Sequence, residues 1–282
     1  MSITRKVIDN SMLQSPDLRR YLSASSSHFA VLPDFVSIEA YKVNAVEEIL
    51  TRWDTISQFP RQVLVLKGTS MICGLRGRGR GLQARMIDHK QTKAFPNFCV
   101  GLKQAAMGDS RYQRALLKHS AAAQQEVDTI SVAVPLVIES RRKLANTFSQ
   151  AEARTIRTRM ELSQTVKVKF VRNVCLLFWM LVRHHPRVKD LPKDFDEGCN
   201  LYLFRFALSV HIWLMEWIAD GSNDQSNAAR VRNDLIDLHV ATYGTYFDGL
   251  MTCDNKMSYI HAMVRFMQES MRTEPLPESS EV

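Results

Sequence analysis

Three short apolar runs fall within the first seventy residues, and helical patterns separate them. Lys6-Val7-Ile8 ends at Asp9-Asn10-Ser11, Phe29-Ala30-Val31-Leu32 ends at Pro33-Asp34, and QVLVL at 62–66 ends at Lys67-Gly68-Thr69. Strands that alternate with helices are joined by crossover connections, which return the chain in the same direction and build a mainly parallel sheet. This alternation restricts the fold more than any other feature and demands an α/β core. Ser15-Pro16-Asp17 supplies the cap and first-turn proline of a helix between the first two runs. A helix carrying Glu39 follows the second run. The spacing of Val46, Ile49, Leu50 and Trp53 predicts that this helix continues through Trp53.

From residue 86 to 221 strand alternation disappears, and the pattern predicts helix after helix, with clear examples over 111–127, 149–182 and 201–218. This stretch is expected to form a helical insertion packed on the sheet, or a helical subdomain, with no repeat at a fixed period. The strand signal returns at the end: a helix over 233–246, a strand over 247–252 closed by Cys253-Asp254-Asn255, and a last helix over 257–271. The expected organisation is a core from 1–70 and 230–272, an insertion over 71–229, and a mobile tail at 273–282, which is rich in Pro, Ser and Glu.

The chain has 282 residues, of which 45% are hydrophobic and 23% charged, so it has the material for a sizeable core. A formal net charge of +8 suits a polyanionic partner, and equally a generally basic protein with none. Five cysteines, an odd number with no C-x-x-C spacing, argue against a disulfide framework or a zinc site and for a reducing compartment. Polar and charged residues within the first ten positions break any signal-peptide core. The most apolar run, at 174–182, is far shorter than the ~20 residues of a spanning helix. A soluble, cytoplasmic protein without a membrane role is expected. No Walker loop, G-x-S-x-G or G-x-G-x-x-G unit follows a strand, so nucleotide-hydrolase, esterase and dehydrogenase readings lack support.

Acidic residues recur at strand ends and helix starts: Asp9 in VIDNS, Glu39 in LPDFVSIE, Asp234 and Asp237 in NDLID, and Asp254 in LMTCDN. The carboxyl ends of parallel strands line one crevice, so acids far apart in sequence converge there. Asp234 and Asp237 differ by three and share a helix face. Clustered carboxylates repel one another unless a cation neutralises them, and hard oxygen ligands suit Mg²⁺ or Mn²⁺. Such an ion serves phosphodiester hydrolysis. Each acid also has an ordinary structural role open to it: Asp9 as a cap, Glu39 paired with Lys42 or the helix dipole, Asp234 at a helix N-terminus, Asp254 in a turn.

In their order along the chain, VIDNS, LPDFVSIE and NDLID…A…FDGLMTCD resemble the pattern of PIN-domain nucleases. The resemblance covers roughly residues 3–70 and 230–270. It implies a PIN-like, Rossmann-like three-layer core with a large helical insertion, and a Mg²⁺ or Mn²⁺ site made by Asp9, Glu39, Asp234 and Asp254. Asp237 would replace or supplement Asp234, and Ala241 matches the family's small helix residue. The implied activity is that of an endoribonuclease of toxin or defence-effector type, with RNA preferred over DNA and a protein partner that inhibits or regulates it. The long helical stretch between Glu39 and Asp234 departs from a minimal PIN domain. Asn10, Ser11, Thr252 and Asn255 are the neighbours suited to orient a carboxylate or a water. Arg76, Arg78 and Arg80, spaced by glycines, suit a loop gripping a nucleic-acid backbone. His184-His185 has no spaced metal-ligand partner, and His239 points about 200° away from Asp237 on its helix. The competing expectations are a non-catalytic helical module binding nucleic acid or protein, and a degenerate PIN scaffold.

Overall fold

A computed structural model describes residues 3–76, 81–159, 161–221 and 227–271. Its centre is a four-stranded sheet in the order β3-β2-β1-β4, formed by β1 (Thr4–Ile8), β2 (His28–Leu32), β3 (Val63–Val65) and β4 (Leu250–Met251). All three pairings are parallel: Val7 lies opposite Val31 and Leu250, and Leu32 opposite Val65. The alternation expected in the first seventy residues therefore holds. Val7, Ile8, Ala30, Val31 and Leu32 are essentially inaccessible, as befits strands covered on both faces. The chain is mixed α/β with a small all-parallel sheet and many helices.

The helix opened by Ser15 is α1 (Pro16–Ala24), and Ser15 Oγ accepts from Asp17 N at 3.1 Å. The helix carrying Glu39 does not continue through Trp53. It stops as α2 (Asp34–Tyr41), and α3 (Val46–Ser57) starts anew. The break is held from elsewhere: Ser120 Oγ donates to Val43 O at 2.6 Å, and Arg52 donates to the Glu39 carbonyl at 2.8 Å. After α4 (Thr69–Cys73), α5 (Leu82–Met86) and α6 (His89–Ala106), Ser120 belongs to α7 (Ser110–Ala145), which runs far beyond the expected 111–127 and packs on α2. The helix expected over 149–182 is two, α8 (Gln150–Arg157) and α9 (Gln164–His184). Between them Arg159 takes a left-handed conformation (φ 52°) and pairs with Glu216 and Asp220. The expected strand at 247–252 shrinks to β4, because Phe247 is buried in the core and Asp248 accepts from Arg5 N at 2.6 Å.

After the short α10 (Phe195–Asn200), α11 (Tyr202–Ala219) and α12 (Ala228–Gly244) pack on each other, and both pack on the closing helix α13 (Asn255–Ser270). One apolar cluster runs from Val7 in β1 through Phe170 and Val174 in α9 to Val264 in α13. A smaller one joins Phe148, Ile156, Val166, Leu214 and Ile218. The expected mobile tail at 273–282 lies outside the described residues.

Candidate metal centre

The order β3-β2-β1-β4 reverses direction between β1 and β4, and the crevice beyond their carboxyl ends is where open α/β sheets bind ligands. Asp9 follows β1 directly, and Thr252 follows β4. Ile8 lies opposite Met251, and Asp9 N donates to Met251 O at 3.0 Å, which draws these residues together across 243 positions of sequence. Ser11 Oγ and Thr252 Oγ1 both donate to Asp9 Oδ2, at 2.5 and 3.0 Å. Oδ1 is left free of donors among the described residues. The same hydroxyls accept backbone N–H groups, Ser11 Oγ from Cys253 and Thr252 Oγ1 from Asp254. Ser11 and Thr252 thus fix one oxygen of the buried Asp9. Asn10 and Asn255 make no side-chain hydrogen bond among the described residues.

The other acids arrive on helices. Glu39, buried on α2, takes the Lys42 ammonium at 2.8 Å, the pairing that its i,i+3 spacing offers. On α12, Asp234 Oδ2 accepts from Trp213 Nε1 at 2.9 Å and from Lys256 Nζ at 3.0 Å. Asp254 lies exposed at the start of α13 and caps it, accepting from Met257 N at 2.9 Å. Asp237 has no hydrogen-bond donor among the described residues. Burial, with the charges of Asp9, Glu39, Asp254 and Asp234 added, pushes its carboxyl up to about 8. Four acids therefore act electrically on Asp237, where the repulsion accumulates.

Asp234, Asp237, Asp254 and Lys256 wall a cavity of about 10 Å³, closed on its apolar side by Trp213, Leu238, Ala241, Met257 and Ile260. That volume accommodates about one water or ion. Among the described residues, no three His, Cys, Asp or Glu side chains stand close enough to share an ion. Each partnered acid is tied to a neighbour of its own: Asp9 to two hydroxyls, Glu39 and Asp234 to lysines. Even so, the donor set is chemically suited to a hard divalent cation, since its oxygens are carboxylates and Asp237 lacks any compensating group.

Other expected residues lie apart from the acids. Arg76 is paired with Asp190 and Glu197 and reaches the Leu191 carbonyl, which ties it into its own surroundings. Arg78 and Arg80 lie outside the described residues. His239 is packed, stacked 4.1 Å from the Phe206 ring with Nδ1 2.7 Å from Tyr202 Oη, and burial holds its pKa down to about 3. Asp34 opens α2 directly after β2 and Pro33 and accepts from Thr69 N and Oγ1 at 2.6 and 2.7 Å. Thr69 Oγ1 in turn meets Tyr243 Oη at 2.6 Å, so Asp34 buckles the ends of β2 and β3 to α12. Sequence reasoning missed Lys256 and Trp213. Lys256 follows Asp254 by two positions, a basic residue in the first turn of a helix where the dipole disfavours it, and that mismatch was a visible signal. Nothing in its own segment marks Trp213.

Comparison of the chain with protein-family models, with curated proteins and with solved structures finds no match. Among the described residues no helix is long and apolar enough to cross a membrane.

Proposed function

We propose that the chain is a PIN-like, Mg²⁺- or Mn²⁺-dependent nuclease acting preferentially on RNA. The observation that carries this reading is Asp237, a carboxylate without a donor that faces four other acids beside a cavity of about 10 Å³. Asp9, Glu39, Asp234 and Asp254 would hold the ion, with Asp237 supplementing or replacing Asp234, and binding would have to draw them together, since no three of them stand close enough to share an ion among the described residues. When bound, such a cation supplies a water of lowered pKa and neutralises the leaving oxygen of an in-line phosphodiester displacement. Ser11 and Thr252 occupy one oxygen of Asp9 and so present the other. Asp254 follows β4 and Thr252 and lies on the cavity wall, while Glu39 of α2 does not line the cavity and would be supplied to the ion from α2. The net charge of +8 suits a polyanionic substrate. The preference for RNA, a toxin or defence-effector role and an inhibitory protein partner rest on the resemblance alone.

A degenerate scaffold that binds without cutting is the second reading. It is favoured by the lysines already seated on Glu39 and Asp234. Labelled single-stranded RNA and DNA, incubated with the protein and either Mn²⁺ or EDTA, separate the two. Cleavage that requires Mn²⁺ and disappears in Asp9→Asn supports the nuclease; binding without cleavage supports the degenerate scaffold.

A further inference from the structure

Where α6 and α7 pack, small residues line both sides: Ala94 on α6, Ala122 and Ala123 on α7. They leave a cavity of about 380 Å³ that reaches inward to α2 and α3, within the size range of small-molecule sites. Its walls are aromatic. Tyr41, Trp53, Phe95, Phe98 and His119 line it and brace one another, Trp53 and Phe98 edge to face at 5.2 Å and Tyr41 5.3 Å from His119. The faces of such rings carry negative charge density and attract cations.

The charged groups around the cavity point the same way. Glu126 lines it, is exposed, and makes no ion pair among the described residues. No lysine or arginine lines it, although the chain carries a net charge of +8. A second observation marks the inner wall. Trp53 is 2% exposed, and its Nε1–H is buried without an acceptor among the described residues. Buried polar groups are nearly always paired, so an open N–H on a cavity wall suits an acceptor supplied by a guest.

We infer that this cavity is a binding site for a small aromatic amine, its ring held among the aromatic walls and its ammonium paired with Glu126. The inference is independent of the nuclease reading, because none of Asp9, Glu39, Asp234, Asp237 and Asp254 lines this cavity.

The test titrates the full chain in a calorimeter near neutral pH, in EDTA and without nucleic acid. The probes are tyramine, whose phenol oxygen offers an acceptor, and 3-(4-hydroxyphenyl)propionate, which has the same ring and the opposite charge. Tyramine should saturate a single site with a Kd of about 1 mM or tighter, a modest efficiency for a ligand of its size. The carboxylate probe should not bind. Glu126→Gln should weaken tyramine binding about five- to tenfold through the loss of one charge at contact distance in water. Ala122→Trp, at an exposed position on the cavity wall, should fill the opening and abolish binding while melting as wild type does. Equal binding of the two probes, or wild-type affinity in Glu126→Gln, overturns the selection for a cation. Undiminished binding in Ala122→Trp, or no binding of tyramine to wild type, overturns the site itself.

Discussion

Asp237 is the residue under most electrostatic strain in the site, and its behaviour with pH is specific. Its folded carboxyl titrates near 8 against an ordinary 3.8, because burial and four neighbouring acids disfavour the ionised form. Between those values the folded chain holds a proton that the unfolded chain has lost, so this residue's contribution to stability falls as pH rises from about 4 to about 8. Asp237→Asn keeps the shape and removes the titration. It should flatten that part of the profile and leave the metal-free variant more stable than wild type at pH 8, as read by urea unfolding. A variant as pH-sensitive as wild type across this window would place the repulsion elsewhere. Asp9 answers differently. Its carboxylate has two hydroxyl donors, so Asp9→Asn should abolish metal-dependent cleavage with a change in unfolding free energy of about 1 kcal/mol or less. Unfolding of this variant, with no change in metal response, would make Asp9 a structural residue.

At the scale of elements, the site depends on how closely α12, α13 and β4 approach. Gly244 ends α12 where a Cβ would lie 2.8 Å from His261 Cδ2 and 3.0 Å from Leu250 Cβ. Gly244→Ala must therefore displace the His261 ring or push α13 or β4 away, and should cost about 1–3 kcal/mol of stability by overpacking, measurable in denaturant melts. A neutral result would show that His261 swings aside freely. The break between α2 and α3 is similarly imposed. Helical spacing predicted one continuous helix, yet Ser120 and Arg52 hold its carbonyls open from positions outside the break. Ser120→Ala strands the Val43 carbonyl and should lower stability by about 1–2 kcal/mol in the same assay. Stability equal to wild type would mean that the break is set by its own residues.

For the whole molecule, the +8 charge bears on polyanion binding rather than on the fold. In EDTA, where no cutting is expected, single-stranded RNA should bind with an affinity that falls linearly in log–log form as salt rises. Asp9→Asn should bind equally well or better, since it removes a negative charge from the crevice. Filter binding at several salt concentrations measures both. Affinity that ignores salt would count against the polyanion reading.

The strand-forming runs and the acids that end them were legible along the chain, because β-prone residues, turn residues and carboxylates mark such positions locally. The Glu39–Lys42 pair was legible for the same reason: three positions on a helix fix the distance. The meeting of Lys256 and Trp213 at Asp234 was not, since it occurs only where α11, α12 and α13 pack, and that packing depends on side chains from the entire core. The helix breaks at 42–45 and 158–163 escaped local patterns as well. Their causes, Ser120 and the Arg159 pairs with Glu216 and Asp220, lie about sixty to eighty residues away. Local propensity chooses which elements form, while long-range hydrogen bonds and ion pairs choose where they stop and which charges they bring together.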